Sequence, residues 1–155
     1  MEKIKAVLSN KYLLAACRIS IGAVFVLASV GKILFPHEFA RDVYSYMLMP
    51  AFVVPAFAAI LPWIEFASGL LLLADIKPKS SAVLVMGLLL MFIAAILWTV
   101  ANGIEISCGC FDILFPGEKA GWSTIIRDVV MMAVIAPVMF FDHNDVRIYG
   151  LINKK

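Results

Sequence analysis

Four apolar runs limit what this chain can fold into. They are roughly Leu13–Phe35, Ala51–Ala74, Ser80–Ala101 and Thr124–Phe141, each near the ~20 residues a helix needs to cross the hydrocarbon core of a bilayer. The third carries no charge, and the others carry one or two each. Inside a bilayer every backbone N–H and C=O needs a partner within the protein, which a helix supplies along its own length. A content of 63% hydrophobic and 15% charged residues exceeds what a soluble core requires. The expectation is an all-α integral membrane four-helix bundle, built as a single domain over residues 1–155. Its longest polar interruption is the loop 102–123. A net charge of +2 leaves no basis for nucleic acid as a partner; the bilayer itself is the first partner.

The first run also has a competing reading. Leu14-Ala15-Ala16-Cys17 follows several lysines and looks like a lipoprotein cleavage box. Asn10 and Lys11 interrupt the apolar stretch that a signal peptide would need, and apolar sequence continues to Phe35. A spanning helix is expected here, with Cys17 as a small core residue.

Orientation follows from the lysines and arginines. Four spans put both termini on one side. That side collects Lys3, Lys5, Lys11, Lys77, Lys79, Arg147, Lys154 and Lys155, against Arg41 and Lys119 on the other. Eight against two is a positive-inside bias, so the N- and C-termini are expected in the cytoplasm. Trp98 and Trp122 then fall near the outer interface and Tyr12 near the inner one. The implied location is a bacterial inner (cytoplasmic) membrane, crossed several times, with loop 102–123 on the periplasmic side.

Ionisable residues within spans are costly and normally face the bundle interior with a partner. Arg18, Gly22, Phe25, Ser29 and Lys32 recur at spacings of three and four, so they share one face of the first span. Pro62, Glu65 and Gly69 form a similar stripe on the second, whose small residues would allow close approach. Counting depth from the inner ends puts Arg18 about five residues deep and Glu65 about nine, roughly 6 Å apart along the axis. Arg18–Glu65 is therefore the expected structural ion pair, with a proton- or electron-transfer role as the alternative. Lys32, Arg127 and Asp128 lie at the outer end of their spans. There they would tune a nearby thiolate or relay a proton, or else simply anchor helix ends. Between the first two spans, "HEFARDVYSYMLMP" reads as a short amphipathic element over the outer surface, and the second span should start after Pro50 and bend near Pro55 or Pro62.

The loop 102–123 holds "ISCGCFD", with Cys108 and Cys110 one glycine apart. Outside the cytoplasm a disulfide can form and persist. One between residues so close departs from relaxed geometry, and strained, exposed disulfides are the labile or catalytic ones. A metal site would need ligands beyond two thiolates, and His37 is the only histidine on that side, so no metal is expected. A structural staple between near neighbours would constrain little chain.

Taken together, "RISIGAVFVLASVGKILFPHEFA", "YSYMLMPAFVVPAFAAILPWIEFASGLLLL", "CGCFD" and "GWSTIIRD" resemble the MauE/DoxX-like membrane proteins, within them the methylamine-utilisation MauE branch. The resemblance covers nearly the whole chain. It implies a four-helix membrane bundle, often encoded beside thioredoxin-like proteins, and a role in disulfide formation or thiol handling. Its type member is linked to maturation of methylamine dehydrogenase, whose small subunit is rich in disulfides. Arg18, Gly31, Lys32, Pro36, Pro50, Glu65, Gly69, Cys108, Cys110 and Arg127 fall on the family's recurring positions. Asp112 departs from it, since glycine often follows "CGCF" there; an anion beside the pair disfavours the thiolate.

The leading expectation is a membrane thiol–disulfide redox component. Cys108 and Cys110 would exchange electrons with an extracytoplasmic thioredoxin-like partner, with Lys32, Arg127 and Asp128 as tuning groups. A quinone as acceptor is an analogy with other membrane disulfide-forming proteins. The competing readings are a non-enzymatic assembly or scaffold subunit of a membrane complex and, behind it, a small transporter built around Glu65. An oligomer is compatible with all three.

Overall fold

The computed structural model describes residues 11–76, 78–103 and 121–141. Among these residues there is no strand. The elements are α1 (Lys11–Leu34), α2 (Pro36–Ser45), α3 (Val54–Leu73), α4 (Pro78–Ala101) and α5 (Trp122–Phe141). All but α2 are long and apolar enough to cross a membrane. Between 28% and 39% of the most apolar stretch of each is buried against protein. Much of the rest is exposed apolar surface, including Ile19, Leu27, Ile60, Val83, Leu90 and Val129, which lipid satisfies and water does not. The protein is an all-α, multi-pass membrane bundle.

Prolines set the helix boundaries. Pro36 disfavours helical geometry at the residue before it, and Phe35 leaves the helix at φ −121°, ψ 61°. That ends α1 and lets Pro36 open α2, where its missing N–H costs nothing. Pro55 occupies the first turn of α3 in the same way, whereas Pro62 lies inside α3 and Pro137 inside α5. Each interior proline removes one rung of its helix ladder. α2 is amphipathic, as its sequence suggests: Phe39 and Val43 are buried while Glu38 and Arg41 are exposed.

The four long helices close into a ring in the order α1, α3, α4, α5, with α2 lying against α3. One apolar core joins them, including Phe25, Leu61, Leu72, Val85, Leu89 and Ile135. The α1–α3 contact is the most intimate because it is made by glycines. A Cβ on Gly22 would lie 3.0 Å from the Gly69 carbonyl oxygen, and a Cβ on Gly69 would lie 3.0 Å from that of Gly22. Backbone touches backbone, which small residues alone permit. This contact fixes the antiparallel register of the two helices that carry most of the buried charge.

Candidate functional site

The stripe on α1 is buried throughout: Arg18, Gly22, Phe25, Ser29 and Lys32 all face inward. So do Pro62, Glu65 and Gly69 on α3. The faces agree with the spacing argument, but the ion pairing differs from it. Glu65 is held by Lys32, whose Nζ donates to both carboxylate oxygens at 2.7 Å. Both side chains are almost fully buried, at 3% and 2% exposure. Arg18 instead donates to Asp75. The expected Arg18–Glu65 pair is replaced by two others.

Register and side-chain direction explain the correction. Gly22 faces Gly69, so Glu65, four residues back, is level with position 26 of α1. Arg18 is eight residues from that level and Lys32 six, about 12 and 9 Å along the axis. Distance alone favours Lys32 only slightly. Direction decides it, because Cα–Cβ bonds tilt toward the N-terminus of their helix. In an antiparallel pair, Lys32 and Glu65 tilt toward each other, while Arg18 and Glu65 tilt apart.

Asp75 reaches Arg18 by an unusual backbone route. Beyond the C-cap Ala74, it adopts φ 58°, and its N–H bonds the Leu72 carbonyl while the Ile76 N–H bonds that of Leu71. These two bonds close the helix in a Schellman arrangement, where glycine is the usual residue. An aspartate here accepts a left-handed conformation and sits at the negative end of the helix dipole. The Arg18 guanidinium offsets both.

The Lys32–Glu65 pair lies under an aromatic layer. Lys32 Nζ is 5.1 Å from the centre of the Phe39 ring and 4.9 Å from that of Phe92, so its charge is met by a carboxylate and two ring faces. Behind these rings, between α2, α3 and α4, is a cavity of about 360 Å³. On α5, Arg127 Nε and one terminal nitrogen lie 3.4 Å from Asp128 Oδ1. Asp128 is buried while Arg127 is half-buried. One turn earlier on the same face, Thr124 Oγ1 is buried with no hydrogen-bond partner among the described residues.

Cys108, Cys110 and Asp112 lie outside the described residues. So does any approach of Lys32, Arg127 or Asp128 to the thiols. Cys17 is half-buried at the edge of the core. Among the described residues, no group of three or more histidine, cysteine or acidic side chains could hold a metal. Sequence reasoning missed Asp75 and the aromatic cavity. The first had a signal, since an acid ending an apolar run opposes the helix dipole and calls for a cation.

The family model described as "Methylamine utilisation protein MauE" matches residues 10–141 of the chain. The methylamine utilization protein MauE of Paracoccus denitrificans is 30% identical over 120 residues, covering 77% of this chain and 64% of its own length. That of Methylophilus methylotrophus is 33% identical over 112 residues, covering 72% and 59%. That of Methylorubrum extorquens is 28% identical over 119 residues. The chain thus spans about three fifths of the length of these relatives. No solved structure matches it.

Proposed function

This chain belongs to the MauE family of methylamine utilisation proteins, and we propose that it is a thiol–disulfide redox component working on the outer face of a bacterial inner membrane. Cys108 and Cys110 form its redox pair, a thioredoxin-like extracytoplasmic protein is its partner, and maturation of disulfide-rich proteins of methylamine metabolism is the process it serves. The observation that carries this reading is topological. Ile125, in the first turn of α5, packs with Ile96, near the end of α4, and with Tyr46. The connection holding the two cysteines therefore leaves and re-enters the bundle at the end away from the α3–α4 turn, and the positive-inside bias of the lysines and arginines supports the turn end as the cytoplasmic one.

The chemistry balances as follows. A partner thiolate attacks one sulfur of the Cys108–Cys110 disulfide, forming a mixed disulfide and releasing the other sulfur as a thiolate. The partner's second thiol then displaces the first sulfur. This leaves the partner oxidised and the pair reduced by two electrons, with two protons. Reoxidation passes both to a membrane quinone, giving quinol.

Trapping tests the reading. A Cys110→Ser variant should accumulate a mixed disulfide through Cys108, and mass spectrometry identifies the attached protein; Cys108→Ser is the reciprocal trap. If neither variant captures a partner, thiol exchange is not the activity. A scaffold role is the second reading, favoured by the way buried Lys32 and Glu65 satisfy each other within one chain. It requires that replacing both cysteines with serine leave function and protein level intact.

A further inference from the structure

We propose that the cavity between α2, α3 and α4 binds a neutral, lipid-soluble molecule with a flat, oxygen-bearing ring, of the quinone class. This inference rests on the redox reading, for which it supplies the acceptor's site. Its volume of about 360 Å³ is within the roughly 300–1,000 Å³ typical of small-molecule sites. Among the described residues the wall contains no acid, no lysine and no arginine, so a charged ligand would enter without compensation.

Shape and position narrow the class further. Five wall residues are aromatic: Phe39, Tyr46, Phe57, Phe92 and Trp98. An acyl chain would need only an aliphatic groove, whereas ring faces favour a stacked or edge-on ring. Among the described wall residues, Trp98 on the rim carries an indole N–H donor suited to a ring oxygen. The Lys32 ammonium lies against Phe39 and Phe92, which holds those rings in place and keeps the wall preformed.

The inner wall is buried at Phe39, Tyr46, Leu61 and Ile96, while Leu48, Met91 and Trp98 on the rim are exposed. Met91 and Trp98 belong to the membrane span of α4, so the rim faces lipid and a ligand dissolved in the bilayer enters sideways. Tyr46 and Ile96 also pack with Ile125 at the start of α5. That places the cavity at the end of the bundle where the cysteine-bearing connection begins and ends.

The test is a titration of the purified protein in nanodiscs with menadione, a short naphthoquinone, read by tryptophan fluorescence quenching. Saturable quenching is expected, with affinity at least tenfold weaker in Ala95→Phe, which fills the cavity. Phe57→Leu removes one ring face and should weaken binding several-fold, which serves if Ala95→Phe fails to fold. Quenching that never saturates, or that is equal in wild type and both variants, overturns the proposal. Displacement of menadione by excess oleic acid as readily as by a second quinone overturns the ring class. The Cys108→Ser/Cys110→Ser variant should bind normally, so loss of thiol exchange and loss of quinone binding are separate failures.

Discussion

Among the described residues, two long-range ion pairs tie α1 to α3 and its following turn, and they solve the same problem differently. Arg18–Asp75 fastens the end of the bundle at the α3–α4 turn. Its acid comes from a left-handed residue just past the helix, and its base has a long stem that can reach the interface. Lys32–Glu65 is made by two residues within spanning helices, sealed by Phe39 and Phe92 and backed by the cavity. The first pair trades backbone strain for a helix stop. Both pairs are buried to a similar degree, but the second lies away from the helix ends of α3, so its carboxylate depends mainly on Lys32.

The comparison can be broken at Glu65 first. Glu65→Ala leaves Lys32 buried and unpaired, which should cost about 3–5 kcal/mol and appear as a large drop in thermal unfolding temperature in detergent. Lys32→Met combined with Glu65→Leu should restore most of it; if the double variant is no better than the single, burial of unpaired charge is not the cause. Next comes the shared glycine contact. Gly69→Val places its Cβ 3.0 Å from the Gly22 carbonyl oxygen and should cost about 1–3 kcal/mol by overpacking, weakening both pairs together.

At the other end, Asp75→Ala should cost less, about 1–2 kcal/mol, because Arg18 can reach toward the headgroups. Asp75→Gly should be milder than Asp75→Ala, since glycine relieves the left-handed backbone while losing the same carboxylate. Equal losses for the two would show that backbone strain contributes nothing there. The smallest effect is expected for Phe92→Leu, about 0.5–1 kcal/mol from the lost ring face. A loss as large as that of Glu65→Ala would mean that Phe92 does more than cover the ammonium.

Much of the bundle is legible in the sequence, for reasons that differ by helix. Polar residues at helical spacing mark the buried faces of α1 and α3, and both faces are where the spacing puts them. The partner of Glu65 is not legible from depth alone. It depends on the Gly22–Gly69 register and on side-chain tilt, which a count of residues from span ends leaves out. Nor is the cavity legible. Its wall is assembled from three helices and the α2–α3 turn, and α4 is apolar on every side, so periodicity says nothing about which residues face inward. Asp75 is the intermediate case: its conflict with the helix dipole is visible, but its partner is not.

Membership of two helices in each pair also bears on how the chain enters the bilayer. α1 brings two buried cations and the α3 segment with its following turn brings two buried acids, so each is burdened alone and the buried charges cancel when the two meet. α4 carries no charge beyond Lys79 in its first turn and can partition unaided, while α5 carries adjacent charges of opposite sign. The first half of the protein therefore becomes a comfortable resident of the membrane only as a hairpin, when α3 arrives to discharge α1.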